Sequence, residues 1–339
     1  MITDTMGSRR DPPDLERLLG SAEISTLLRA ATRAPSLHNS QPWSFRVGAQ
    51  NVELYADTSR HLRRADSSGR SLLVSCGAAL FNLRVAAEHL GFHPRVRILP
   101  DADKPTLIAL AEVDHRHNRP GGLDSYYPAI QARRTNRSPF HNRRTPVSVL
   151  AALSEAASAE GAALRVSDDP DEVTRIIRVL HDADLLEHTD PARITERLAW
   201  IGSAHRVDGI PLAALGPRPT QDLVAHRDLG YAVGGARDRA AFETTPTIAV
   251  LSTAHDAPVD WVRAGQALER LLLEATTAGV VASFLNQPLE HDDLRSLVRS
   301  PRTGVGHSQM VLRLGYGIEV PATPRRPVAH VQKAPRPGP

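Results

Sequence analysis

Apolar positions along this chain alternate between helical and strand spacing, and the order in which they do so repeats. Ile24, Leu27, Leu28 and Ala31 recur every three or four residues, which predicts a helix with Ser21 as its N-cap and Pro35 beyond its end. After Trp43, Phe45-Arg46-Val47 and Val52-Glu53-Leu54-Tyr55 alternate as strands on either side of Gly48 and Asn51. A Ser/Arg-rich loop, residues 57–69, leads into a long helix from Arg70 to Leu90. Its Leu73, Cys76, Leu80, Leu83, Ala87 and Leu90 form a seam suited to packing on another helix, and Gly91 stands where a helix ends. Cys76 on that seam reads as a buried residue, not a reactive thiol. Residues 95–99 and 107–113 read as two more strands, joined by a polar turn.

The long helix has a second copy. Shifted by 188 positions, Gly77, Ala79, Leu80, Leu83, Ala87 and Gly91 meet Gly265, Ala267, Leu268, Leu271, Ala275 and Gly279. An apolar strand, residues 247–252, precedes this copy, and residues 280–285 and 310–314 follow it as strands. Strand, helix, strand, strand therefore occurs twice. That order predicts two similar halves with the long helices against each other. We divide the chain at 1–124, 125–327 and a tail, 328–339, with residues 1–14 frayed and those past Pro327 disordered or draped over the surface. Residues 190–245, rich in glycine and proline, have no counterpart in the first half and read as an insertion that forms a lid. Trp200, His205 and Tyr231 are its candidate covering side chains.

Composition narrows the classes. The 339 residues carry a formal net charge of +3, and only Lys104 and Lys333 are lysines, so the basic side is nearly all arginine. No basic block is long enough to suggest nucleic acid. No run approaches the roughly 18 apolar residues of a membrane helix, and the N-terminal residues lack an apolar signal region. One cysteine excludes an internal disulfide and fits a cytoplasmic protein. Gly230 to Gly235 lacks the strand-turn-helix context of a dinucleotide fingerprint, and His115-x-His117 lacks further ligands at zinc spacing.

The chemistry concentrates in Arg33-Ala34-Pro35-Ser36-Leu37-His38-Asn39-Ser40-Gln41-Pro42-Trp43. Two prolines remove backbone donors and keep the run out of helix, leaving a rigid extended loop. Its guanidinium, hydroxyls and amides suffice to wrap a planar, phosphate-bearing ligand. By itself the run also reads as a helix end and a turn anchored by Trp43. The pattern A-P-S-x-x-N-x-Q-P-W resembles the FMN-contacting loop of the nitroreductase family, and its longer form resembles the Acg-type branch. Arg133-Arg134-Thr135-Asn136-Arg137 resembles the segment that grips the FMN phosphate in that family. Thr323-Pro324-Arg325-Arg326 resembles its late phosphate-reaching element, with Arg326 the closer match. Asn286-Gln287-Pro288 falls where the family loop follows the flavin edge.

The resemblance implies an α+β nitroreductase fold, with two tandem half-domains forming an intramolecular pseudo-dimer, a monomer in place of the usual homodimer. It also implies hydride transfer from NAD(P)H through FMN to nitroaromatic or quinone-like acceptors, with no catalytic acid or base required of the protein. On it, His38, Asn39 and Gln41 shape the ring pocket, and Ala34, Pro35, Ser36 and Leu37 contact the cofactor. Arg33, Arg133, Thr135, Arg137, Arg325 and Arg326 hold the phosphate, and Asn286 and Gln287 meet the ring. The first half lacks the arginine segment and the second lacks the proline loop, reading Gly-Ala-Ala-Leu-Arg-Val-Ser in its place. One complete set remains, which implies one FMN per chain. The alternative is a non-catalytic protein that binds and sequesters FMN under a closed lid.

Overall fold

The computed structural model describes residues 19–115, 122–167, 169–202, 206–234, 237–299 and 306–334. In the first half, α1 (Ser21–Thr32) leads through the proline loop to β1 (Trp43–Val47) and β2 (Asn51–Ala56), then α2 (Arg70–His89), β3 (Phe92–Ile98) and β4 (Leu107–His115). A short α3 (Tyr127–Ala132) connects to the second half. That half runs α4 (Val147–Ser158), β5 (Ala163–Ser167), an insertion, β10 (Thr247–Thr253), α7 (Pro258–Thr277), β11 (Val281–Phe284), α8 (Asp292–Leu297), β12 (His307–Gly315) and α9 (Val328–Val331). The insertion carries α5 (Pro170–Thr189), α6 (Pro191–Ala199) and two pairs of two-residue strands, β6 (Ile201–Gly202) with β7 (Ile210–Pro211) and β8 (Arg218–Pro219) with β9 (Arg239–Ala240).

The two four-stranded sheets have one topology. The first is ordered β1-β2-β4-β3 and the second β5-β10-β12-β11, and every pairing within them is antiparallel. Strand for strand, β5, β10, β11 and β12 repeat β1, β2, β3 and β4. The expected repeat is therefore present, and α2 and α7 lie against each other between the two cores. They approach at Gly77 and Gly265. A Cβ on Gly77 would lie 2.1 Å from the Val262 carbonyl oxygen, and one on Gly265 would lie 2.0 Å from that of Val74. Only glycine permits backbones this close. The end glycines match as well: Gly91 (φ 81°) and Gly279 (φ 70°) are both left-handed.

Local chemistry sets the helix starts. The carboxylate of Asp66 accepts from the free Ser71 and Leu72 amides at 2.8 and 2.9 Å, placing a negative charge at the α2 N-terminus. Ser21 is the first residue of α1 and not its cap; Gly20 caps it, its amide donating to Glu23 Oε2 at 2.7 Å. By length and composition α2 could cross a membrane, but it is largely buried in the core of this fold.

Three further differences from expectation have physical causes. The insertion includes α5 (Pro170–Thr189), which lies between β5 and β10, where the first half has only the short β1–β2 turn. The α5 residues Ile176, Val179 and Leu180 bury their apolar stripe against β10 and β12. The first core extends past 124, taking in Ala129 and Ile130 of α3. The tail is docked through residue 334: Val331 is buried, Gln332 bridges Phe45 on the edge strand β1, and the Lys333 amide donates to the Phe45 carbonyl at 2.6 Å. The end of the second half thus covers a sheet edge of the first. The expected frayed N-terminus lies outside the described residues.

Candidate functional site

The proline loop is held by strain and by α2. His38, Asn39 and Gln41 have φ of 47°, 55° and 51°, left-handed values that side chains other than glycine rarely adopt. Such residues persist where their surroundings over-determine them, at a cost on the order of 1–3 kcal/mol each. Here Ser36 Oγ accepts from the Gln41 amide at 2.9 Å, the Leu37 amide reaches Ser75 Oγ at 3.4 Å, and Cys76 Sγ donates to the Pro42 carbonyl at 3.3 Å. Trp43 is fully buried and anchors the exit.

Beside the loop is a cleft with about 600 Å³ of space, part of it open to solvent. Its first wall is the loop itself, Pro35 to His38, with Ser71, Val74 and Ser75 of α2. The second half supplies Leu268, Phe284, Asn286 and Met310. Arg137, Arg227 and Leu229 close the remaining side. The lining is mostly apolar, with guanidiniums as its only charged groups, which suits an organic ligand with an apolar ring. His38 is buried there, and neither ring nitrogen has a hydrogen-bond partner among the described residues. Burial, then Arg227, Arg197 and Arg137 against the opposing Glu187, push its pKa down to about 3, so the imidazole is neutral.

A second cluster lies at the Arg33 end of the loop. The Arg133 guanidinium donates to the Arg33 carbonyl at 3.1 Å and faces the fully buried Glu269 of α7 at 3.5 Å. Arg325 donates to the same Arg33 carbonyl at 3.1 Å and to Asn39 Oδ1 at 3.0 Å. Burial and the nearby Arg133, Arg33 and Arg134 push the Arg325 pKa down to about 9. Four guanidiniums thus share this region with a single buried carboxylate. Nε and Nη1 of Arg133 and Nε of Arg325 have no hydrogen-bond partner among the described residues.

The other expected residues fall elsewhere. Asn39 donates to the Gly209 and Pro324 carbonyls at 2.7 and 3.0 Å, and Gln41 donates to the Val207 carbonyl at 3.0 Å while accepting from the Arg326 amide at 2.8 Å. Both side chains knit the loop to the insertion and the C-terminal segment. Arg137 lies in the cleft, apart from the arginine cluster, and donates to the Ala214 carbonyl at 3.0 Å. Arg326 is turned from the cluster toward the Gln41, Trp43 and His330 carbonyls, so Arg325, not Arg326, joins Arg133. Thr135 forms a bridge with Ala282 at the edge of the second sheet. Asn286 lines the cleft, with its Oδ1 accepting from the Val311 amide at 2.9 Å. Gln287 is fully buried behind the cleft and donates to the His226 carbonyl at 3.2 Å.

The insertion does reach the loop, but not through the expected aromatics. Trp200 packs between Arg60 and Arg206, and Tyr231 stacks on His188 at 3.6 Å, drawn there by cationic and ring partners. His205 lies outside the described residues. Arg227 and Leu229 take the covering place, and nothing in their local sequence marks them. Asp208 pairs with Arg60, and Glu196 accepts from the Arg64 and Ala65 amides at 3.0 and 2.9 Å. Among the described residues no group of three or more metal-binding side chains occurs.

No family model matches the chain. Similar proteins from Mycobacterium tuberculosis include one named "Putative NAD(P)H nitroreductase Rv3131", 31% identical over 320 residues, covering 92% of this chain and 91% of that protein. Another, "Putative NAD(P)H nitroreductase acg", is 30% identical over 313 residues, covering 91% and 94%. These relatives, matched over more than nine tenths of their length, place the chain in the nitroreductase family, and this chain is α+β with two four-stranded sheets of one topology. Among solved structures, the chain is similar to the FMN-dependent nitroreductase NfnB from Mycobacterium smegmatis in complex with NADPH. The identity is 17% and the TM-score 0.41, over 63% of this chain and all of that one. A protein titled "a putative nitroreductase" from Anabaena variabilis aligns over 88% of this chain and 74% of its own, with 11% identity and a TM-score of 0.46.

Proposed function

We propose that this protein is a flavin-dependent oxidoreductase that binds one FMN per chain and passes electrons from NAD(P)H to nitroaromatic or quinone-like acceptors. The observation that carries the reading is that cleft and arginine cluster flank one strained loop, the cleft at Pro35 to His38 and the cluster at the Arg33 carbonyl. The cleft's lining suits a tricyclic ring, and the unpartnered N–H groups of Arg133 and Arg325 suit a dianionic phosphate. The residues present therefore fit FMN, the cofactor implied by the loop's resemblance.

When bound, FMN supplies the hydride-accepting and hydride-donating chemistry. The protein's part is orientation and exclusion. Arg133, Arg325, Arg33 and Arg134 would hold the phosphate, with Glu269 limiting the excess positive charge. Pro35 to His38, Val74, Leu268 and Phe284 would fix the ring plane, with Arg137 beside it. His38 is neutral and offers an uncharged hydrogen-bonding edge. A single complete site accords with action as a monomer.

One observation favours a second reading, a protein that retains FMN without turnover. The insertion occupies the Asn39 and Gln41 donors and closes one side of the cleft with Arg227 and Leu229, which narrows the space for a nicotinamide. Anaerobic mixing of the FMN-loaded protein with NADH or NADPH, followed near 450 nm, tests both readings. Bleaching that a nitroaromatic reverses supports the oxidoreductase. Flavin that dithionite reduces but neither nicotinamide does supports retention. A protein that takes up no FMN refutes both.

A further inference from the structure

The insertion meets the rest of the molecule in two different ways. Over the loop, residues 207–209 offer carbonyls and a backbone amide: Gly209 donates to the Asn39 carbonyl at 3.1 Å and accepts from its side chain. Such contacts can be exchanged for water at little net change in free energy. The contact through Arg227 is of another kind. Its guanidinium is buried, with Nη1 2.6 Å from Glu290 Oε1 and Nη2 2.8 Å from Glu290 Oε2 and 2.7 Å from Glu187 Oε1. Arg197 holds the other oxygen of Glu187 at 3.2 Å. A fork shared by two buried carboxylates cannot be withdrawn without leaving charge unpaired in the interior.

The partners sit at a telling place. Glu290 ends the turn Gln287–Glu290, and Asn286 immediately before it lines the cleft. Gln287 on that turn donates to the His226 carbonyl, so the turn grips the insertion at two successive residues. Two residues beyond Arg227, Leu229 lines the cleft and joins Ile201, Ile210 and Leu215 in the insertion's own apolar cluster. Movement of Arg227 would therefore carry that cluster with it.

We propose that Arg227 is the latch of a lid. The insertion over the cleft opens when Arg227, still held to Glu187 within the insertion, leaves Glu290, and the 286–290 turn links what lies in the cleft at Asn286 to that release. The latch admits a planar reactant such as a nicotinamide only in the open state. It deepens the flavin reading and rests on it for the identity of that reactant, but the latch itself is a property of this chain's own residues.

Hydrogen exchange of the full chain without added ligand tests it, comparing wild type with Arg227→Lys and Glu290→Gln. Lysine keeps the charge and loses the fork, so neither variant leaves a bare buried cation. Amides in residues 206–234 should exchange at least about tenfold faster in both variants while those of α2 stay as in wild type. Unchanged protection over 206–234 would overturn the latch. Faster exchange in α2 to the same degree would also overturn it, because the ion pairs would then hold the whole fold. In FMN-loaded protein, release of flavin on dilution should quicken in step with the lid. If no variant or wild type retains FMN, the cofactor reading fails, and the exchange result still decides the latch.

Discussion

Two regions of this molecule stand in equivalent positions and have become chemically opposite. After α1, twelve residues long, comes the strained proline loop; after α4, also twelve, comes Ala159 to Ala162. Beside the first lie unpartnered guanidinium N–H groups and a cleft. Beside the second, Glu160 accepts from Arg84 of α2 at 2.6 Å and from Arg270 of α7 at 2.8 Å. Arg270 holds in α7 the place that Asn82 holds in α2 under the 188-residue shift. At the second region Glu160 takes a direct hydrogen bond from each arginine, although Arg270 Nε has no partner among the described residues. At the first, Glu269 only faces Arg133 at 3.5 Å, and Nε and Nη1 of Arg133 and Nε of Arg325 have none. The half that lacks the loop also carries the insertion, and it lies over the other half's cleft. Within one chain, one copy of a site can take a supporting role while the other keeps the ligand chemistry.

The largest effect should come from the helix crossing on which both regions rest. Gly77→Ala and Gly265→Ala should each lower unfolding free energy by more than about 3 kcal/mol in urea titrations. Comparable losses are expected, because the two Cβ atoms would meet equivalent carbonyls. A much milder loss for one would show that the halves are not joined alike. Next, Arg133→Met should weaken FMN binding roughly 10- to 150-fold, the loss of one charge-assisted contact, while Arg270→Met leaves it within about twofold. Equal effects, measured by flavin fluorescence on dialysis, would erase the distinction between the regions. Third, Glu160→Ala should destabilise by about 1–3 kcal/mol by stranding Arg84 and Arg270, and sulfate should recover more stability in this variant than in wild type.

The smallest effect concerns His38. Its folded pKa is pushed down to about 3 from an ordinary 6.5, so the native state binds fewer protons than the unfolded chain below pH 6.5. Its contribution to stability is complete above pH 6.5 and falls as pH drops toward 3, by about 1 kcal/mol at pH 5.5. His38→Gln should remove that part of the slope in thermal melts between pH 7 and 5.

Much of the frame was legible because its signals are local or periodic. The seam of α2, its copy in α7 and their flanking strands follow from spacing, and the matched Gly77 and Gly265 proved to be the crossing point. The proline loop was legible as a segment outside α-helix and strand, but it is not extended: Leu37–Asn39 make a 3-10 turn, and His38, Asn39 and Gln41 are left-handed, with Asn39 and Gln41 held by distant backbone groups. Arg227, Glu187 and Glu290 were not: single charged residues far apart in sequence carry no sign of a buried network. Nor did two adjacent arginines, 325 and 326, reveal which would turn inward. The extent of the insertion was misjudged because α5 resembles any amphipathic helix until the missing hairpin between β5 and β10 exposes it.

By itself, the sequence determined the duplication, the loop and the stock of arginines, since periodicity, proline and charge act along the chain. Only the tertiary structure decided which guanidinium N–H groups lack a partner among the described residues. A buried charge is settled by whatever carboxylate or carbonyl lies within about 3 Å, and that neighbour comes from a distant part of the chain. Glu160 closes one region and Arg227 holds the lid on the other for that reason.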